Sequence, residues 1–323
     1  MMALYMLALA VLVGCSSLDG GPRYNTTMPT LHRATIGFIG DVQTTGFPET
    51  WRENNDSLRR PLLRGLAMDD PDALVMLGDM VWAGSTISYW RYFDTVMYPI
   101  RKRNIPVFPL LGNHEYIGVE EAMLACIRQR FPHMTDEPYV RVIDSVALVF
   151  LNTNFQEIGL EATKRQLAWF RSEIPRLDDS AAIKAIIVCG HHPPFTNSSI
   201  IEDDPILKRY FASTFLRAGK TLIWFSGHCH SYEHFSAYGK HWITSGGGGG
   251  PRQALRVGSN RRHRDLYVGP SVRPLNFCLV QRNGTGLTVT VRALDPLAKR
   301  METMDYFTIS NSRFIPVAPT VEP

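Results

Sequence analysis

Long hydrophobic runs are scarce in this chain of 323 residues. None approaches the roughly 20 apolar residues that a membrane-spanning helix needs. Cysteine is scarce too: Cys15, Cys126, Cys189, Cys229 and Cys278 form no C-x-x-C pair. That excludes a disulfide-dense scaffold. Cys189 and Cys278 lie in apolar, strand-like runs and are expected as small buried hydrophobes. Charge of one sign is also lacking, because 34 Lys and Arg against 30 Asp and Glu leave a net charge of +4. Such a balance argues against dedicated nucleic-acid binding and is compatible with an anionic substrate. No internal repeat is present, so a solenoid is excluded. What remains, 45% hydrophobic and 20% charged, is the composition of one large globular core.

The N-terminus reads as a targeting segment. Residues 3 to 13, ALYMLALAVLV, have the length of a signal-peptide core. They run into Leu12-Val13-Gly14-Cys15, which resembles a bacterial lipobox, although no Lys or Arg precedes them. The resemblance implies acylation of Cys15 and a membrane held through that lipid. Ser16 and Ser17 follow with no Asp after the cysteine, the pattern of an outer-membrane lipoprotein facing the periplasm or exterior. Residues 1–15 are thus a signal segment, 16–32 a polar tether and 33–312 the folded domain.

Within the domain, five apolar runs each end in Gly and then a metal-competent side chain. Residues 34–40 lead to Asp41, 73–78 to Asp79, and 106–112 to Asn113 and His114. Residues 185–190 lead to His191, and 221–227 to His228. Helical spacing between them, near 50–67 (Trp51, Leu58, Leu62, Leu66) and 86–103, implies an α/β protein with helix-covered sheets. Ligands in such folds gather at the carboxyl ends of strands. Residues 139–152 read as a hairpin around Asp144-Ser145, and 161–174 as a helix. Strands are expected at 276–282, 286–293 and 303–309, with Asn283-Gly284 as a turn. Gly246 to Gly250 is expected as a loop passing close to the site.

The motifs are Gly40-Asp41-Val42-Gln43, Gly78-Asp79, Gly112-Asn113-His114-Glu115, Gly190-His191-His192-Pro193 and Gly227-His228-Cys229-His230. Each alone is weak, since a strand-end Asp is often a helix cap and a lone His a satisfied core residue. The last could be an isolated zinc pair. All five together, each at a strand end, are specific.

That set resembles the calcineurin-like metallophosphoesterases, purple acid phosphatases among them, over residues 35 to 248. The resemblance implies a four-layer α/β/β/α sandwich with two divalent or trivalent metal ions, of Fe, Zn, Mn or Mg, at the strand ends. Asp41 and His230 would bind one metal, with Gln43 as a further oxygen donor. Asn113, His191 and His228 would bind the other, and Asp79 would bridge them. The reaction implied is hydrolysis of a small phosphorylated substrate by a hydroxide bridging the metals. His114 would steady the phosphoryl charge and protonate the leaving alkoxide, with Asn113 beside it at the substrate. His192 is a lesser substrate candidate, set behind His191 by the family pattern Gly-His-x-Pro.

Two departures bear on activity. Gln43 stands where the usual motif, Asp-x-His, has imidazole; the amide oxygen is a weaker donor and implies a looser first site. Trp82 occupies the position of the purple enzymes' ligating Tyr, so a ferric-tyrosinate centre is not expected. Trp82, Tyr116 and Phe195 are candidate pocket walls. Arg252, Arg256, Arg261, Arg262, His263 and Arg264 form a basic segment, either a solvated loop or an arm over the cleft, with Arg252 as a substrate contact. A phosphomonoesterase is preferred. A phosphodiesterase with the same centre, and a degenerate lipoprotein that binds a phosphorylated ligand or protein partner, are the alternatives.

Overall fold

The computed structural model describes residues 20–28, 33–46, 49 and 52–310. Cys15, the signal segment and Trp51 lie outside the described residues. Among those described, no helix is long and apolar enough to cross a membrane.

Among the described residues, twelve strands form two six-stranded sheets. In the first, β1 (Thr35–Ile39), β2 (Ala73–Met76) and β3 (Val107–Pro109) run parallel. The antiparallel strands β10 (Asn276–Asn283), β11 (Gly286–Asp295) and β12 (Arg300–Ile309) extend it beyond β1. The second sheet has the order β4-β5-β6-β7-β9-β8. Its strands are β4 (Tyr139–Ile143), β5 (Val146–Phe150), β6 (Ala185–Cys189), β7 (Thr221–Ser226), β8 (Tyr232–Ala237) and β9 (Lys240–Ser245).

Period-two alternation sorts the side chains into layers. In β2, Leu74 and Met76 join Leu62, Trp90, Ile100 and Ile127 under the helices α1 (Asp56–Met68), α2 (Ile87–Val96), α3 (Tyr98–Lys102) and α4 (Glu120–Arg130). Ala73 and Val75 point the other way, into a core between the sheets with Phe38, Leu148, Ile187 and Phe225. Beyond the second sheet, Val149, Ile186 and Val188 meet Phe170, Ile174 and Phe215 of α5 (Phe155–Asp179) and α6 (Ala212–Arg217). The result is the expected α/β/β/α sandwich, whose parallel strands are apolar throughout because both faces are covered.

Several local features differ from expectation. The helix near 86–103 breaks at Met97, with Pro99 opening α3. The helix over 161–174 is longer and breaks at Gly159, whose φ of 76° a helix cannot accommodate. Residues 232–245 form a hairpin that the residue pattern did not suggest. The described part of the stretch read as a tether, 20–28, is laid onto the domain. Tyr24 is buried, its hydroxyl donates to Asp94 (3.1 Å), and Asn25 accepts from the Val107 N–H (2.8 Å). The 139–152 hairpin is present as β4–β5, with Asp144 and Ser145 at φ 46° and 63°, the two left-handed residues of a tight hairpin turn.

Phe38 and Phe225 stack across the inter-sheet layer at 4.2 Å between centroids. Phe38→Ala leaves a cavity between two sheets that cannot both move. It is expected to cost about 3–5 kcal/mol, read as a lowered urea midpoint with unchanged slope.

Candidate metal centre

Asp41, Asp79, Asn113, His191 and His228 each lie two to four residues past the end of a parallel strand. Three of them, Asp41 (φ 61°), Asp79 (φ 51°) and His228 (φ 65°), adopt the left-handed conformation directly after a glycine. That backbone is sparsely used by non-glycine residues, Asp and His being among the more tolerant. The chain here turns back sharply at the strand end. Gly246 passes so close that a Cβ would stand 2.7 Å from Asp41 Oδ2, as expected for the Gly-rich loop.

The imidazole tautomers follow from their backbone partners. Nδ1 of His191 lies 2.8 Å from the Leu77 carbonyl, which can only accept, so Nδ1 carries the proton and Nε2 offers a lone pair. Around that Nε2 stand Asn113 Oδ1 at 3.0 Å, His228 Nδ1 at 3.2 Å and Asp79 Oδ2 at 3.3 Å. In the same way Nδ1 of His230 donates to Pro251 O at 2.8 Å, leaving Nε2 toward Asp41 Oδ1 at 3.5 Å. Gln43 completes this half. Its amide nitrogen is best placed donating to Asp41 O (3.2 Å) and Asp79 O (3.0 Å), which turns its oxygen to His230 Nε2 at 3.1 Å. Ligand-type atoms of Asp41, Asp79 and His230 lie within 4.8 Å of one another, as do those of His191, His192 and His228.

Hydrogen bonding separates His192 from its neighbour. Thr153 Oγ1 accepts the His191 N–H (3.1 Å) and the His192 N–H (2.9 Å), which occupies both lone pairs. Its own proton therefore goes to His192 Nδ1 at 3.0 Å. His192 then carries its remaining proton on Nε2 and serves as a donor rather than a ligand.

The site is short of positive charge. Asp41 and Asp79 are both buried, and among the described residues no Lys or Arg pairs with either. Burial raises the Asp41 pKa. Burial opposes charge on Asp79 as well, but His191 and His114 outweigh it and hold the carboxyl below its usual range. Burial likewise opposes charge on His191, yet Asp79 and Asp41 carry its pKa up to about 9. His230 is pushed down to about 4 and His192 to about 3, chiefly by burial. Carboxylate, amide and imidazole donors around a deficit of positive charge fit two divalent cations, the imidazole-rich half suiting softer ions than the oxygen-rich half.

Residues 34–232 match the family model for calcineurin-like phosphoesterase, well over half of the chain. The chain belongs to the calcineurin-like phosphoesterases. Membership makes it a metal-dependent phosphoric ester hydrolase; the family implies a dinuclear metal centre, and the two donor groups are candidates to hold it. The phosphoesterase is similar to tartrate-resistant acid phosphatase type 5 of Oryctolagus cuniculus, 22% identical over 254 residues, 68% of this chain and 73% of that protein. The Mus musculus protein of the same name is 24% identical over 256 residues, with the same coverage. Among solved structures, the purple acid phosphatase PPD1 of yellow lupin (Lupinus luteus) seeds superposes with a TM-score of 0.67 at 16% identity. The match takes in 90% of this chain but only 55% of the lupin protein. GAP50 of Plasmodium, an anchor in the inner membrane complex, superposes at 0.64 with 15% identity over 87% of this chain and 89% of that one.

Three residues that support the phosphoesterase site carried no assigned role in the sequence. Glu115, fully buried, accepts from the N–H groups of Asp79 (2.9 Å), Met80 (2.7 Å), Val81 (3.2 Å) and Gly112 (2.7 Å). Burial and the charge of Asp79 raise its pKa to about 7. Arg59, also buried, donates to Gln43 O (2.6 Å) and Gly249 O (2.9 Å), tying the first motif to the Gly-rich loop. Thr153 follows β5, a strand without a motif of its own.

Arg252 is corrected as a substrate contact. Its Nε lies 3.0 Å from both Glu53 oxygens and its backbone N–H donates to the same carboxylate, so its guanidinium is a strut. Arg262 is likewise held, by the carbonyls of Thr196, Ser198 and Ile201. Only Arg261 and Arg264 of the basic segment are exposed. Phe195 packs edge-on against Trp242, whereas Trp82 stands beside His114, 6.1 Å between centroids.

Glu115→Gln keeps the shape but loses one of two acceptor oxygens. Metal affinity is expected to fall about 10–100-fold, measured by titration with Mn or Zn, while secondary structure by circular dichroism stays the same.

Proposed function

We propose that the chain is a phosphomonoesterase whose two metal ions are held by Asp41, Gln43, Asp79, Asn113, His191, His228 and His230, with Asp79 between them. The observation that carries this reading is the convergence of Asn113 Oδ1, His228 Nδ1 and Asp79 Oδ2 on Nε2 of His191. Without a proton or cation among them these lone pairs oppose one another. When bound, such a pair of ions supplies Lewis acidity toward phosphate oxygens and lowers the pKa of water in the site.

The chain's own groups account for the rest. His114 donates its backbone N–H to Asp79 Oδ1 (2.9 Å) and its Nδ1–H to Trp82 O (2.7 Å). Its ring is thereby fixed with Nε2 toward the cleft, where the protonated form can hand a proton to the departing alkoxide. His192 offers its Nε2–H to a phosphate oxygen and stays neutral, its pKa being near 3. Trp82 walls the side next to His114. Arg252 is committed to Glu53 and is not available to clamp a substrate anion. The names of the acid phosphatases it resembles support the preference for a monoester. As part of this reading the enzyme is exported and held at a membrane by acylated Cys15. Mass spectrometry of the mature N-terminus tests that, and an unmodified cysteine would defeat it.

Asp79→Asn is expected to lose most bound metal together with turnover of p-nitrophenyl phosphate. His114→Ala should keep its metal and lose about 10²–10⁴-fold in kcat. Full metal content in the first variant, or an unchanged kcat in the second, would remove the corresponding role. Faster turnover of bis-p-nitrophenyl phosphate than of the monoester would reverse the substrate preference.

A further inference from the structure

A groove of about 650 Å³ lies away from the metal centre, between α1 and the α2–α3 segment. Arg60 and Arg64 form one wall, and Tyr98, Arg101 and Lys102 the other. Asp94 is the one carboxylate among the lining residues, and it is consumed. Arg130 pairs with it through Nε (3.0 Å) and Nη2 (2.6 Å), and Tyr24 donates to it. Arg60, Arg64 and Lys102 have no ion-pair partner among the described residues. Nε of Arg101 is buried without an acceptor. The groove is thus a concentration of uncompensated positive charge on a chain whose total is only +4.

Its surroundings are apolar in a particular way. Arg60, Arg64 and Met68 recur every four residues on one face of α1, and Met68 is 75% exposed. Tyr98 is 55% exposed. Cations with long apolar stems, an aromatic ring and an exposed thioether together suit the boundary between headgroups and acyl chains. The N-terminal segment crosses this same face, with the Arg101 guanidinium 5.7 Å from the Tyr24 ring. Gly20 is five residues beyond Cys15, a span of at most about 17 Å.

We infer that this groove docks the protein on a membrane surface by taking the phosphate-bearing headgroups of anionic phospholipids. The assignment stands on the charge and exposure of the face. An anchor at Cys15 would add to it but is not needed for it. A juxtamembrane basic cluster of this kind gains affinity with each cation and loses it with salt.

The test uses the full chain with Cys15→Ser, so that no acyl chain contributes, sedimented with phosphatidylglycerol–phosphatidylcholine vesicles or with pure phosphatidylcholine. Arg60→Glu/Arg64→Glu should weaken partition onto the anionic vesicles at least about tenfold, and the difference should close as salt is raised. Binding to pure phosphatidylcholine and turnover of p-nitrophenyl phosphate should not change. Lys102→Glu, on the opposite wall, should act in the same direction. Equal partition of parent and variants on anionic vesicles would overturn the inference. So would a groove that binds soluble glycerol 1-phosphate yet ignores the vesicles, since it would then serve a free phosphate.

Discussion

An excess of buried acceptor atoms at one point governs this structure. Asp41 and Asp79 are removed from water with no lysine or arginine paired to them among the described residues, a situation that costs several kcal/mol per ion unless it is compensated. Backbone N–H groups supply part of the compensation: Asp41 receives that of His228 and Asp79 that of His114. These donors are neutral, so they solvate the charge without cancelling it. The balance must come from a proton on His191 or from cations, and the two compete for the same nitrogen lone pair. Any cation bound through that nitrogen would have to displace the proton, so metal uptake would be linked to pH.

Such a concentration of acceptors can only be assembled from distant chain segments, and the seam between the two sheets is where that occurs. Contacts between the sheets fix the seam: the Gly40 N–H donates to Ser245 O, and the His191 side chain reaches Leu77 O through Nδ1. Around it, buried polar side chains from loops and from α1 bind the backbone of a different loop. Glu115, Thr153 and Arg59 each do this with two or more bonds. The left-handed turns at Asp41, Asp79 and His228 are held against their local preference by these struts. Rigidity at the ligands is therefore a property of the loops, while the sheets supply only their convergence.

What was legible in the sequence reflects which interactions are local. The parallel strands could be read because both faces are covered, which writes continuous apolar runs, and the convergence of the candidate ligands because each follows such a run. The β8–β9 hairpin could not. Its first strand buries the polar Glu233 and His234, the one bonded to Thr196 and the other to His241 while stacked on Phe307, so no apolar alternation marks it. Arg252 looked free because its partner Glu53 is 199 residues away in sequence. Tyr24 looked like tether because the pocket that receives it is made by α2, α3 and α4. Glu115 was visible beside His114, but its role depends on the backbone of another loop.

Gln43 shows how side chains, rather than the fold, decide what the centre does. The sandwich is shared with a Plasmodium membrane-complex anchor, so architecture alone does not specify hydrolysis. A glutamine in place of the expected imidazole would weaken the case if its amide pointed its nitrogen inward. The two carbonyls of Asp41 and Asp79 prevent this, because together they take both amide protons and leave only oxygen facing His230. An imidazole at this position has at most one proton per nitrogen and could not satisfy both carbonyls from one atom. The substitution thus trades a nitrogen ligand for an oxygen one without disturbing the loop that carries it. With Asp41, Asp79 and Gln43 all offering oxygen, the first half of the centre favours a harder cation than the imidazole-rich second half. Were two ions held here, such a division of donors would suit unlike ones.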